Sequence, residues 1–311
     1  MKAEDLHPDV RKVIARTPRL PFAHRFLLPV SRIVYNLAAA TKVPEGVIVS
    51  VNTMSDVDVL VFEPYERTSN GAILWMFGGG HWAGKPSHLN AIAGLAAREL
   101  GVPIYVPSYR LAPRHPFPAD LEDCHAVWKH LVEDAERLKF DPDRIALAGN
   151  SAGGGLAATL AQKIRDEAGM QPIAQCLLYP MLDDRTATDR SLDQVNHFIW
   201  NNKANYEAWR AYLSPHIPGA EIVPEYSAAG RCLDLAGLPP TWIGICDLDL
   251  FCAENEDYFE RLTAAGVDCE VYRVDGVPHA FEVLAPEAHI AIEFQLSAIE
   301  FLRRALDGCE K

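Results

Sequence analysis

From Val47 onward apolar and polar residues alternate with a period of two, first in VIVSV and then in DVDVLVF, where Val57, Val59 and Val61 are separated by Asp58 and Leu60. That rhythm predicts two half-buried strands and an antiparallel opening. Short apolar runs follow, AILWMF, PIYV, IALAG, AQCLLY, TWIGIC and CEVYRV, each separated from the next by a stretch with apolar spacing of three to four. Strands that are apolar on both faces and alternate with helices imply a mostly parallel sheet covered on both sides. Leu156, Leu160 and Ile164 form one helical stripe, and Ile290, Phe294, Ala298 and Phe301 form another.

Two segments depart from this alternation. Before Val47 the spacing in DVRKVIA and SRIVYNLAAA is helical and no strand is evident. After Tyr179 the chain carries DDRTATDRSLD and then the aromatic helical stretch HFIWNNKANYEAWRAYL before the strand pattern resumes. A long insertion in a compact α/β domain is functional or disordered, and aromatics at 198, 200, 206, 209 and 212 argue for order. The expected organisation is therefore an eight-stranded catalytic core, residues 46–182 and 231–311, with a helical lid built from residues 1–45 and 183–230. No internal repeat is present.

Length and composition narrow the class. A chain of 311 residues with 49% hydrophobic and 23% charged residues buries a large core and excludes disordered or collagen-like architecture. Lys and Arg number 29 against 42 Asp and Glu, a formal charge of -13 that opposes a nucleic-acid partner. Seven cysteines without a C-x-x-C pair read as reduced thiols and a cytoplasmic setting. The opening MKAEDLHPDVRK lacks the apolar stretch of a signal peptide, and the most apolar segment, Phe26 to Ala40, is interrupted by Pro29 and Arg32, so no membrane span is expected. H-E-x-x-H and other clustered ligand spacings are absent, which implies neither metal nor cofactor.

The chemistry concentrates in three places. Gly149-Asn150-Ser151-Ala152-Gly153-Gly154 follows the IALA strand and opens a helix, the strand–turn–helix context that G-x-S-x-G requires of a nucleophile elbow. A turn this sharp needs small flanking residues and holds the central serine hydroxyl above the sheet, at the positive end of the following helix. After the third strand, Phe77-Gly78-Gly79-Gly80-His81-Trp82 offers bare backbone donors for an oxyanion. The third is the base. His197 and His216 fall in the lid and His289 in the last helix, which leaves His279 of GVPHAF, just beyond the eighth strand. The orienting acid follows the seventh strand as Asp247 or Asp249, which spacing does not separate.

With these residues in place, the chain resembles the hormone-sensitive lipase-like esterases (bacterial family IV) of the α/β-hydrolase superfamily. The matching stretches run from about residue 45 to the C-terminus: PSYRLAPRHPFPADLED, DPDRIALAGNSAGGGLAATLA, LLYPMLD, LAGLPPTWI and DLFCAENEDYFERLTAAGV before GVPHAF. The resemblance implies that Asp249 is the acid, because the family's Asp-Pro-Leu turn stands at a fixed distance before Tyr258 and Glu260-Arg261-Leu262, although Leu250 replaces the proline. It assigns the oxyanion donors to the N–H groups of Gly79, Gly80 and Ala152, implies a serine carboxylesterase acting on small uncharged short-acyl esters, and allows a homodimer through the edge strand. YRLAP is taken as scaffold. An amidase, formamidase or lactonase using the same triad and, in another class, a non-catalytic receptor on this fold are the competing readings.

One departure stands out. The family's glycine loop begins with a histidine, whereas here Phe77 precedes the glycines and His81 follows them. Phe77 cannot pin the loop by hydrogen bonds, so the loop is pinned from elsewhere or the hole is looser. His81 is expected to place its imidazole at the pocket wall, together with Trp82, Asn150, Phe198 and Trp200.

Overall fold

The computed structural model describes residues 1–17, 32, 35, 36 and 42–308. The helical spacing expected over 31–40 and the apolar segment 26–40 lie almost wholly outside the described residues. Eight strands form one sheet in the order β1-β2-β4-β3-β5-β6-β7-β8. These are β1 (Val47–Met54), β2 (Val57–Pro64), β3 (Ala72–Met76), β4 (Ile104–Pro107), β5 (Ile145–Asn150), β6 (Gln175–Leu178), β7 (Thr241–Cys246) and β8 (Cys269–Val274). β2 pairs antiparallel with β1 and with β4, and every other pairing is parallel.

The opening hairpin follows from its alternation. Val57, Val59 and Val61 are buried, and Met54 pairs with Val57 across a two-residue turn in which Ser55 and Asp56 both have positive φ. Such a turn matches the right-handed strand twist, and a short polar residue such as Asp tolerates its backbone best. The central strands β3, β4, β6 and β7 are buried at every position, as their unbroken apolar runs require.

β8 departs from the expectation of two apolar faces. As the outermost strand it pairs only with β7, and Val271 is 38% exposed. The polar Glu270 and Arg273 within CEVYRV belong to this half-solvated edge, where charge also discourages strand addition.

Both expected helical stripes face inward. Leu156, Leu160 and Ile164 of the helix Ala152–Asp166 are buried, as are Phe294, Ala298 and Phe301 of the C-terminal helix His289–Asp307, while Ile290 is partly buried. Residues 183–230 form two 3-10 turns, Thr186–Thr188 and Arg190–Gln194, and the helix Asn202–Tyr212. The N-terminal segment reaches this insertion and the core alike: the Met1 amine donates to Val195 O at 2.9 Å, and His7 N donates to Gly276 O at 2.7 Å. A second apolar cluster joins Trp209, Tyr212 and Leu213 of the insertion to Trp82, Ala152, Met181 and Phe251 at the C-terminal ends of the strands. Among the described residues no helix is long and apolar enough to cross a membrane, and the described cysteines are free.

Parallel register gathers the loops that follow β3, β5, β7 and β8 at one end of the sheet. Met76 pairs with Gly149, so the glycine loop and the Ser151 turn leave adjacent strands side by side. Helix Ala152–Asp166 must then pass beneath the end of β3, and a Cβ at Gly153 would run into the carbonyl oxygens of Met76 and Phe77. Gly153→Ala is therefore expected to cost about 3 kcal/mol through backbone displacement, measured as a lowered urea unfolding midpoint. An unchanged midpoint would show that this crossing has slack.

Candidate active site

Ser151 sits at the turn between β5 and the helix Ala152–Asp166 with φ 57 and ψ −126, a backbone conformation rare for a residue with a side chain. Three hydrogen bonds hold it there: Ser151 N donates to Leu178 O at 2.9 Å, and Ser151 O accepts from Gly155 N at 3.0 Å and from Met181 N at 2.9 Å. The strain is thus balanced by bonds to β6, to the first helical turn and to the segment entering the insertion.

The loop after β3 lies directly over this turn. A Cβ at Gly78 would come within 3.1 Å of Ser151 Cβ. Gly79 and Gly80 have φ 137 and 61, so the backbone turns in a way that exposes its amides. Among the described residues the N–H groups of Gly79, Gly80 and Ala152 donate to no acceptor of the chain. Three unpaired donors beside one hydroxyl, one of them at a helix N-terminus, form a place where negative charge is favoured.

His279 completes the hydrogen-bonded series. Its Nε2 is 2.8 Å from Ser151 Oγ and its Nδ1 is 2.6 Å from Asp249 Oδ2. Asp249 is 5% exposed, and its other oxygen accepts from Phe251 N at 3.2 Å. The ring edges of Tyr179 and Phe251 pack against the imidazole at centroid distances of 4.8 and 5.2 Å. Asp247 occupies a different position: its Oδ1 accepts from Gly276 N at 2.6 Å and from Val277 N at 3.2 Å, which clamps the loop that carries His279. The two carboxylates that spacing could not separate are therefore divided by geometry, one on the histidine and one on the backbone behind it.

His81 is placed otherwise than expected. It is 3% exposed, its Nδ1 lies 2.8 Å from Asp120 Oδ2, and its ring stacks on Tyr212 at 3.9 Å. The reason lies in PADLED, which brings Asp120 beneath the loop at the start of the helix Ala119–Glu133, so a buried histidine finds a buried carboxylate. This pair supplies the pinning that Phe77 cannot. Phe77 instead stacks on Tyr109 at 4.2 Å, and the Tyr109 hydroxyl donates to Phe77 O. Burial and the hydrogen bond to Asp120 both push the Tyr212 phenol well above its ordinary range, so it stays a protonated member of the platform.

The remaining pocket candidates are scattered. Trp200, half-buried, lies over the glycine loop, its Cη2 within 2.8 Å of where a Cβ on Gly80 would stand, and its Nε1 donates to Asn205 Oδ1 at 3.3 Å. Trp82 is buried in the second apolar cluster. Asn150 ends β5 with its side chain at the Tyr179 hydroxyl. Phe198 lines a cavity of about 320 Å³ together with Ala3, Ile14, Ala15 and Thr17 of the N-terminal segment. Sequence reasoning missed Asp120, Tyr179 and Glu282. Asp120 and Tyr179 stand inside motifs used to recognise the family, but nothing in their spacing marks them as neighbours of the loop and the histidine. Among the described residues no group of three or more His, Cys, Asp or Glu could hold a metal ion.

A serine at an elbow of this kind, on a sheet of this order, defines the α/β-hydrolase class. A family model described as the alpha/beta hydrolase fold matches residues 73–283. The carboxylesterase NlhH of Mycobacterium tuberculosis is 32% identical over 265 residues, which cover 83% of this chain and 81% of that protein. Among solved structures, a bacterial heroin esterase is similar with a TM-score of 0.91 and 31% identity, covering 98% of this chain and 99% of that one. An esterase from the bacterial hormone-sensitive lipase family matches with a TM-score of 0.82 and 26% identity, over 96% of this chain and 99% of that one. The chain belongs to this α/β-hydrolase family, on the branch of the hormone-sensitive lipase-like carboxylic ester hydrolases.

If the glycine loop serves as the oxyanion site, His81→Ala and Asp120→Asn are expected to lower kcat/KM about tenfold for every ester tested, because each loosens that loop. A change confined to one acyl length would instead put His81 at the pocket wall. Rates across a series of nitrophenyl esters decide between the two.

Proposed function

We propose that this protein is a cofactor-independent serine carboxylesterase that hydrolyses short-acyl, uncharged esters through an acyl-enzyme. The observation that carries the reading is the unbroken series Asp249–His279–Ser151 beside the unpaired donors of Gly79, Gly80 and Ala152. Ser151 Oγ attacks the ester carbonyl as His279 Nε2 takes its proton, and the carbonyl oxygen becomes an oxyanion held by the three amides. Asp249 keeps the Nδ1 proton in place and stabilises the imidazolium. The C–O bond to the alcohol then breaks, His279 protonates the leaving oxygen, and Ser151 is left acylated. Water enters by the same route in reverse roles: His279 takes its proton, hydroxide oxygen adds to the acyl carbon, and Ser151 recovers its proton as the acid leaves.

Two features support the restriction to small neutral esters. The indole of Trp200 rests on Gly80, so the insertion places bulk over the oxyanion loop, which favours small acyl groups. This contact fits residues 1–45 and 183–230 acting as a two-part lid. The charge of -13 disfavours anionic substrates.

Nitrophenyl esters of graded acyl length, tested beside a small amide and a formanilide, check the substrate class. Initial rates should peak at acetate to butyrate, and Ser151→Ala should lower kcat at least about a thousandfold. A peak at long chains removes the short-acyl restriction, and amide rates equal to ester rates make the protein an amidase. Trp200→Ala should move the optimum toward longer acyl groups while leaving acetate hydrolysis within about threefold, since it removes bulk and no reacting group.

A further inference from the structure

We propose that Glu282 is a positioning residue of the hydrolytic site: acting through Tyr179, its carboxylate holds the phenol ring against His279 and gives the imidazolium of the reaction a second negative neighbour beside Asp249. The inference rests on the reading of His279 as the general base. Glu282 follows that histidine by three residues, on the short helix Phe281–Leu284, and is only 4% exposed. The Tyr179 hydroxyl donates to its Oε1, whereas its Oε2 has no hydrogen-bond partner among the described residues. A buried carboxyl with one oxygen unpaired is costly unless something else in reach favours its charge.

That something is the site itself. The Tyr179 ring stands between two neighbours, edge-on to His279 at 4.8 Å with an interplanar angle of 70°, and stacked on Phe294 at 6.0 Å and 12°. Its orientation is fixed at the far end by the hydrogen bond to Glu282, so the carboxyl sets where the ring meets the imidazole. Burial pushes the Tyr179 phenol well above its ordinary range, which keeps it a donor at every working pH.

The groups around Glu282 come from four elements. Tyr179 follows β6, Cys246 and Asp249 lie at and after β7, His279 shares its own loop, and Tyr35 reaches in from the N-terminal segment. Burial raises the Glu282 carboxyl to about 7, while the hydrogen bond from Tyr179 and the charge of His279 act to lower it and Asp249 to raise it. Cys246 and Tyr35 are themselves pushed up by burial and stay neutral, so His279 is the cationic group that acts on this carboxyl. The coupling is reciprocal: an ionised Glu282 favours the imidazolium. Since the neutral imidazole is the active base, an ionised Glu282 raises the pH at which kcat/KM falls on acidification. It also stabilises the imidazolium formed in the transition state.

Glu282→Gln keeps the size and the acceptor for Tyr179 and removes the charge. In the 311-residue chain with nitrophenyl acetate, we expect its kcat to fall about tenfold with KM within about twofold, and its acid limb to move about half a pH unit lower. Tyr179→Phe keeps the ring but releases the carboxyl, and should move the acid limb the same way by less; it carries the decision should Glu282→Gln not fold. A fall in kcat with an unmoved acid limb in both variants reduces Glu282 to a packing residue and overturns the proposal, as does wild-type behaviour of both. Labelling of wild-type Ser151 by a fluorophosphonate tests the underlying reading separately, since an unlabelled wild type removes the base assignment and not only the role of Glu282.

Discussion

The arrangement depends on one steric constraint, the crossing of backbone at the turn between β5 and the helix Ala152–Asp166. The helix passes so close beneath the end of β3 that Gly153 has no room for a side chain, and this closeness holds Ser151 at positive φ. The same closeness sets the glycine loop within contact of the serine, because Met76 and Gly149 are register partners. A hydroxyl and a set of unpaired amides are thereby brought together by packing of the core, before any side chain in the site contributes. The strain at Ser151 persists because buried strands on both sides over-determine it.

Around that crossing, the loops that gather at Ser151 are steadied by buried carboxyl groups. Asp120 grips His81 behind the glycine loop, Asp247 grips the backbone of the loop that carries His279, and Glu282 grips Tyr179 at the histidine's side. Glu254 does the same for the insertion: burial pushes its carboxyl well above the ordinary range, and it accepts from Leu182 N at 2.7 Å and Asp183 N at 3.3 Å where the chain leaves the sheet. The acidic excess of the sequence is in part this internal framework, so some of the net charge lies in how the loops are held.

The strands were legible because each is short, apolar and bounded by turn residues, and because parallel strands buried on both faces leave a continuous run. The two edge strands are more exposed than their patterns predict, β8 with Val271 and β1 with Val51, since an edge position is a property of sheet order that local periodicity does not carry. Ser151, His279 and the glycine loop were legible because the backbone itself demands glycine or a fixed order along the chain there. The partner of His81 was not. A histidine's contact with an aspartate 39 residues away depends on how PADLED folds back under the loop. Asp247 and Asp249 differ by two positions and looked equivalent, yet the turn after β7 directs one to a side chain and the other to backbone.

The central claim is that Ser151 becomes covalently acylated while backbone amides hold the oxyanion. Mixing the enzyme with nitrophenyl acetate, quenching in acid within the first turnovers and mapping the mass increase by peptide mass spectrometry tests it most directly. The account predicts an acetyl group on the peptide containing Ser151, absent in Ser151→Ala and accumulating in proportion to a burst of nitrophenol. Full turnover with no acetylated peptide, or acetylation at another residue, would contradict it.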